Sequence, residues 1–339
     1  MSGPPLLRDL ERQAGNCEAM GSPFTARLLR ELAGDLPAEG PLAERLRAWD
    51  GTPDDAMPLR IAGALHALVL SGEAPALAAA YPPHPPEGLA EVLRAALREH
   101  EDRILPMLDG PPQTNEVGRS AVLIAAAHLL HARHPLPLRL SELGASAGLN
   151  LNFDRYALEA GGARLGPADA ALTLRPKWTG PLPAPAPVQV EERRGVDLRP
   201  IDPSDPAARL RLRSYVWADQ RERMERLDRA LALPPAPVDR EDVADWLPPR
   251  LAEVMPGRLH LVYHTVAWQY FPPAAQTACR DALEAAGARA THDAPLAWLA
   301  VEGDGRSEST VLTLRLWPGD ERLHLGRADF HGAWVDWRS

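Results

Sequence analysis

The chain has 339 residues and 45% hydrophobic content, room for about two domains at roughly 150 residues each. A net charge of −9 with acids and bases interleaved leaves no basic surface for a phosphate backbone, so no nucleic-acid partner is expected. Two distant cysteines, Cys17 and Cys279, fit neither a disulfide framework nor a zinc site, and without a leader-like start or a bilayer-length apolar run the expectation is a soluble, cytoplasmic protein with no membrane association.

Residues 6–19, 23–33, 42–49, 58–71 and 88–101 carry apolar side chains three and four apart, broken by Gly and Pro. They predict helices without strands, hence an all-α N-terminal domain over 1–114. A further helix is expected over 115–132, ending before Pro135. From residue 136 the pattern alternates. Strands are predicted at 138–142, 171–174, 188–191, 258–263 and 296–302, with helices at 206–231 and 272–286 between them. A last antiparallel pair, 310–316 and 322–329, is joined by the turn W-P-G-D-E-R. This order predicts an α/β domain over 115–339, a mainly parallel sheet with an antiparallel C-terminal edge.

The densest signal is the run R-L-S-E-L-G-A-S-A-G-L-N-L from Arg139 to Leu151, read as strand, tight glycine turn and helix. Glycine tolerates the backbone angles of such a turn and leaves room for a ligand. A dinucleotide fingerprint needs glycine where Ser146 and Leu149 stand, which weakens an NAD(P) reading. G-A-S-A-G also fits the G-x-S-x-G elbow of serine hydrolases, with Ser146 as nucleophile and His264, His324 or His331 as base. Against it, residues before the turn read as helical and Glu142 sets a charge where a hydrophobic strand end is usual.

Read as acid, apolar, Gly, x, small, x, Gly, the segment Glu142–Gly148 resembles the first motif of class I S-adenosylmethionine-dependent methyltransferases, with Ser146 in place of a common glycine. The resemblance implies a Rossmann-like fold, with S-adenosylmethionine held by Glu142, Gly144, Ser146, Gly148 and Asn150. V-D-L-R-P at Asp197 resembles the second motif, whose carboxylate accepts both ribose hydroxyls. About 50 residues separate it from the loop, where about 20 are usual, so an insertion is implied. Asp242, or alternatively Asp245, would serve near the adenine amino group. L-H-L-V-Y-H-T-V-A-W-Q-Y-F, residues 259–271, resembles the fourth motif, which faces the transferred methyl.

The phrases T-N-E-V-G-R, E-L-G-A-S-A-G-L-N-L-N-F-D-R-Y, V-W-A-D-Q, Y-H-T-V-A-W-Q-Y and H-G-A-W-V-D-W are together similar to the bacterial family of domain of unknown function 2332, over nearly the whole chain. That family implies no activity.

Catalytic candidates are His264 as a base and Tyr270 beside it. Substrate-side candidates are Asn115, Arg119, Asn152, Asp154, Arg155, Trp268 and Gln269, with capping as the competing role for the residues near helix starts. Arg119 has the planar fork suited to a carboxylate. His128, His131 and His134 read as helix-end histidines rather than a metal site. Lys177 is the only lysine, in a turn-like setting unlike the desolvated one Schiff-base chemistry needs. The expected ligands are S-adenosylmethionine and a small-molecule acceptor; the alternatives are the serine hydrolase and a non-catalytic nucleoside-ligand-binding protein.

Overall fold

Apolar residues at helical spacing, cut by Pro and Gly, fold the first part of the chain into α1 (Pro5–Ala19), α2 (Pro23–Gly34), α3 (Pro41–Arg47), α4 (Met57–Ser71), α5 (Pro75–Ala78), α6 (Leu89–Glu99) and α7 (Glu101–Ile104). The computed structural model describes residues 5–51, 56–305 and 309–339. Proline stands in the first turn of α2, α3, α4 and α5, where its missing N–H costs nothing. α4 is buried on nearly every side, and Leu6, Leu10, Ala14 and Cys17 turn one stripe of α1 into the same core.

After α8 (Ser120–Arg133) come β1 (Leu138–Leu143), β2 (Tyr156–Ala160), β3 (Ala163–Leu165), β4 (Leu172–Leu174), β5 (Lys177–Thr179) and β6 (Val190–Asp197). Then follow α9 (Pro206–Ser214), α10 (Arg221–Leu231), β7 (Val238–Arg240), α11 (Val243–Ala252), β8 (Leu259–Thr265), α12 (Pro273–Gly287), β9 (Leu296–Gly303), β10 (Thr310–Trp317), β11 (Glu321–Ala328) and β12 (Trp334–Trp337).

The chain forms two compact units. One takes residues up to Thr114 together with Ser204–Glu225, the other Asn115–Pro203 and Arg226–Ser339. Within the first, the segment holding α9 is seated by Tyr215, whose ring lies so close to Gly63 that a Cβ there would stand 2.7 Å away. Asp219 accepts hydrogen bonds from the Phe24 N–H (2.8 Å) and the Ser22 hydroxyl. The continuous helix expected over 206–231 is therefore two, because V-W-A-D-Q turns Asp219 to cap α2 instead of extending α9.

In the second unit nine strands form one sheet, in the order β5-β12-β11-β10-β9-β8-β1-β6-β7. The five strands from β9 to β7 are mutually parallel. α11 and α12 cover one face through Leu143, Val196, Val262, Leu247 and Leu283. Three antiparallel pairings then carry the sheet through β10 and β11 to β12, and β5 pairs parallel to β12 as the outermost strand. The reversed pair expected at the edge is thus internal, since β12 and β5 hydrogen-bond beyond it. Between β1 and β6 the chain leaves the sheet to build a second, three-stranded one, β3-β2-β4.

No helix among the described residues is long and apolar enough to cross a membrane.

Candidate functional site

Because β1, β6, β7, β8 and β9 are parallel, their C-terminal ends share one edge, and the chemistry singled out in the sequence gathers there. β1 ends at Leu143 and the chain turns through Gly144 (φ +72°), Ser146 (φ +53°) and Gly148 (φ +69°). A Cβ on Gly144 would stand 2.6 Å from the Ala267 methyl, and one on Gly148 2.9 Å from Val238 Cγ2. Both glycines are needed for backbone angle and for space.

The segment after the loop is not the expected α-helix. It is a 3-10 stretch, Leu149–Arg155, kinked at Asn152, so no run of α-helical N–H groups faces the loop. Its side chains are anchored internally. Asn150 accepts from the Ser120 hydroxyl (2.7 Å). Arg193 of β6 donates to Asn152 Oδ1 and to both oxygens of Asp154 (2.7 and 2.8 Å). That clamp explains Asn152 and Asp154 as builders of the segment rather than substrate contacts. Arg155 is half-buried.

Asp197 is the last residue of β6. Its carboxylate accepts the Ser146 N–H at 2.9 Å and the Arg199 N–H at 2.8 Å, fixing the glycine loop from the neighbouring strand. Leu198 beside it is 61% exposed, a large apolar side chain left facing outward. Asp242 follows β7 on the same edge and caps α11 by accepting the Ala244 N–H (2.8 Å); Asp245 is exposed in the helix's first turn.

Glu142 is only 1% exposed. Its one hydrogen bond among the described residues comes from the Tyr263 hydroxyl at a long 3.4 Å. Burial drives its pKa well above the ordinary carboxylate range; Asp197 pushes the same way, and the Tyr263 bond and Arg119 only partly offset them.

The T-N-E-V-G-R segment closes over the loop. Asn115 Oδ1 accepts the Leu149 N–H at 2.9 Å, and Arg119 donates from Nη1 to the Thr265 carbonyl (2.9 Å) and from Nε to the Phe330 carbonyl (2.8 Å). Gly118 lies against His331, whose carbonyl oxygen would stand 2.2 Å from a Cβ. The helix expected from residue 115 begins instead as a 3-10 turn, Val117–Arg119, before α8.

His264 is 1% exposed at the end of β8. Its Nδ1 pairs with Glu302 Oε1 at 2.7 Å, and its Nε2 accepts the Trp298 indole N–H at 3.0 Å. With both ring nitrogens engaged, His264 has no free position from which to take an acceptor proton, and the role of base does not fit it. Glu302 also receives the Ala267 and Trp268 N–H groups at 3.0 and 3.1 Å. Burial alone would raise its pKa, but these bonds outweigh burial and hold it below the ordinary range. Trp268 stacks on His264 with ring centres 4.8 Å apart. Gln269 and Tyr270 are exposed at the rim, Tyr270 at 63%.

Elsewhere, Lys177 is exposed on β5. The His128 ring accepts the Ala186 N–H at 2.8 Å, and His134 stacks against His292.

Over residues 8–337 the chain matches the profile of a family described as uncharacterized proteins conserved in bacteria, DUF2332. The chain belongs to that family. No match was found among curated proteins or among solved structures.

Four phrases singled out in the DUF2332 sequence therefore meet at this edge: the Glu142 loop, the Asn115–Arg119 turn, the end of β8, and the His331 approach. The chain's fifth phrase, V-W-A-D-Q, lies in the helical unit. Sequence reasoning missed Glu302, although its place as the one acid closing the apolar run L-A-W-L-A-V-E was a readable signal. It also missed Leu198, whose exposure depends on the sheet, and Arg193, whose partners lie 39–42 residues away.

Proposed function

We propose that this DUF2332 protein is an S-adenosylmethionine-dependent methyltransferase-like enzyme acting on a small molecule. The observation that carries the reading is Asp197. Although 51 positions separate it from Ser146, the intervening chain is spent on the small sheet and β5, and Asp197 meets the glycine loop from the adjacent strand. Counted along the chain, the five parallel strands run 3-2-1-4-5, the doubly wound order whose crevice opens where strand order reverses, beyond the ends of β1 and β8. Glu142, Gly144 and Ala267 border that point.

The residues suit the group. Asp197 keeps one lone pair on each oxygen after its two backbone bonds, enough for two ribose hydroxyls. Leu198 would offer an apolar face to a base, and Asp242 a carboxylate further along the edge. Glu142, buried and barely hydrogen-bonded, would gain from a polar or cationic partner. Bound S-adenosylmethionine would supply an electrophilic methyl on a sulfonium sulfur. The protein's own contribution would be to position the acceptor along the rim of Gln269 and Tyr270 and to exclude water, because positioning alone can remove much of such a barrier.

A pyrophosphate is poorly served by a loop flanked by Glu142 and Asp197 and lacking an α-helix behind it, which argues against NAD(P). The left-handed backbone of Ser146 resembles that of a nucleophile elbow, but its hydroxyl has no partner among the described residues and hence no base. Calorimetric titration with S-adenosylmethionine, S-adenosylhomocysteine and NAD is the test: binding of the first two and not the third is expected, and binding of neither sulfur compound by folded protein rejects the proposal. Labelling of Ser146 by a fluorophosphonate would favour the hydrolase instead.

A further inference from the structure

Ser146 carries two costs at once. Its φ of +53° lies in the left-handed region that glycine adopts freely and a side chain does not. Its Oγ is buried without a hydrogen-bond partner in a residue only 7% exposed, and a buried hydroxyl left unpaired is destabilising. Glycine, the residue common at this place in the resembling enzymes, would avoid both. Strain and an orphaned polar atom at one residue point to a role outside folding.

We infer that Ser146 is a specificity-determining residue of the site, its hydroxyl oxygen accepting a hydrogen bond from a hydroxyl or amine of the ligand; this rests on the reading of the loop as a nucleoside-ligand site. The loop backbone is fixed independently of the side chain. Its N–H is held by Asp197 and its carbonyl by the Ile201 N–H at 3.1 Å. Rotation about χ1 among staggered wells therefore re-aims the hydroxyl without moving the loop. The direction of the bond follows from charge. The Asp197 carboxylate, already accepting the Ser146 N–H, borders the loop and repels a second acceptor there, so the hydroxyl oxygen is left for an incoming donor. A donor-bearing ligand is selected, and one presenting a carboxylate or phosphate at this point is rejected.

The experiment compares the full chain with Ser146→Gly and Ser146→Ala, reading Tm without additive and the Kd for S-adenosylhomocysteine and adenosine. Ser146→Gly is expected to melt at or above the wild-type Tm while binding both ligands roughly tenfold more weakly, the effect of one lost neutral hydrogen bond. Ser146→Ala should lose the same affinity without a comparable gain in Tm, because alanine keeps the strained φ. Variants that bind like wild type overturn this inference alone and leave the nucleoside reading standing. Affinity that falls only together with Tm in both variants also overturns it, by making the residue structural. If the wild type takes up neither ligand, the reading and the inference fall together.

Discussion

Glu142 shows how one buried carboxyl can reveal a site and burden the fold. Its folded pKa is raised, first by burial and then by Asp197. Any stability it contributes is therefore present below the unfolded value of about 4.3 and lost as pH rises through the folded value. Glu142→Gln should gain Tm over wild type, and the gain should grow between pH 5 and pH 8; a constant difference in calorimetric scans would show that the acid does not titrate there. Asp197, by contrast, supports the fold through its hydrogen bonds. Replacing it with Ala removes the acceptor for the Ser146 and Arg199 N–H groups, and about 1–2 kcal/mol of stability should go with it once partial exposure is allowed for. Urea unfolding would measure that loss. Asp197 was singled out in the sequence through the phrase V-D-L-R-P, but its neighbour across the sheet was not, since no local pattern encodes a partner 51 residues away.

At the level of elements, the turn after β8 is locked against the glycine loop. Val266, β-branched, sits at φ +52°, a conformation that persists only where its surroundings impose it. Glu302 imposes it by receiving the next two backbone N–H groups, which sets Ala267 against Gly144. Gly144→Ala should therefore cost about 2–4 kcal/mol, from the left-handed backbone and from overpacking on Ala267, and thermal unfolding should show a drop of several degrees. Longer elements were legible. β8, β9 and β10 carry apolar and β-branched residues, β1 and β11 set leucines between polar residues, and α12 carries a helical stripe. β3, β5 and β7 have three residues each, too few to show a period. α11 was hidden because Pro248 and Pro249 lie inside it and read as a break. The helix expected behind the glycine loop failed for a different reason: Asn152 and Asp154 are drawn to Arg193, and the chain turns back into β2.

For the whole molecule, buried imidazoles set the acid limit. Burial holds His66 and His128 down to about 4. His260 is lowered well below 6.5, by burial and then by Arg139 and Arg250. Each stays neutral in the fold and takes up a proton on unfolding once pH falls below about 6.5. The unfolded chain then binds more protons, so stability declines between about pH 6.5 and pH 4, partly offset by Glu142. Tm should fall as buffer pH is lowered from 7 to 5; a flat or rising Tm would mean these rings are not kept neutral. The candidate site was legible as a set of phrases because glycines, acids and polar residues interrupt apolar strands there. Its assembly was not, since strand order alone brings the ends of β1, β6 and β8 together.

The proposed site for an S-adenosyl ligand lies at the C-terminal ends of β1, β8, β6 and β7. Hydrogen–deuterium exchange of the full chain with and without S-adenosylhomocysteine tests it most directly. The account predicts added protection at residues 142–151, 197–201 and 240–244, with little change around Arg139, Glu253 and Arg289 at the opposite end of the sheet. Unchanged exchange at the glycine loop under saturating ligand, or protection confined to that opposite end, would contradict it.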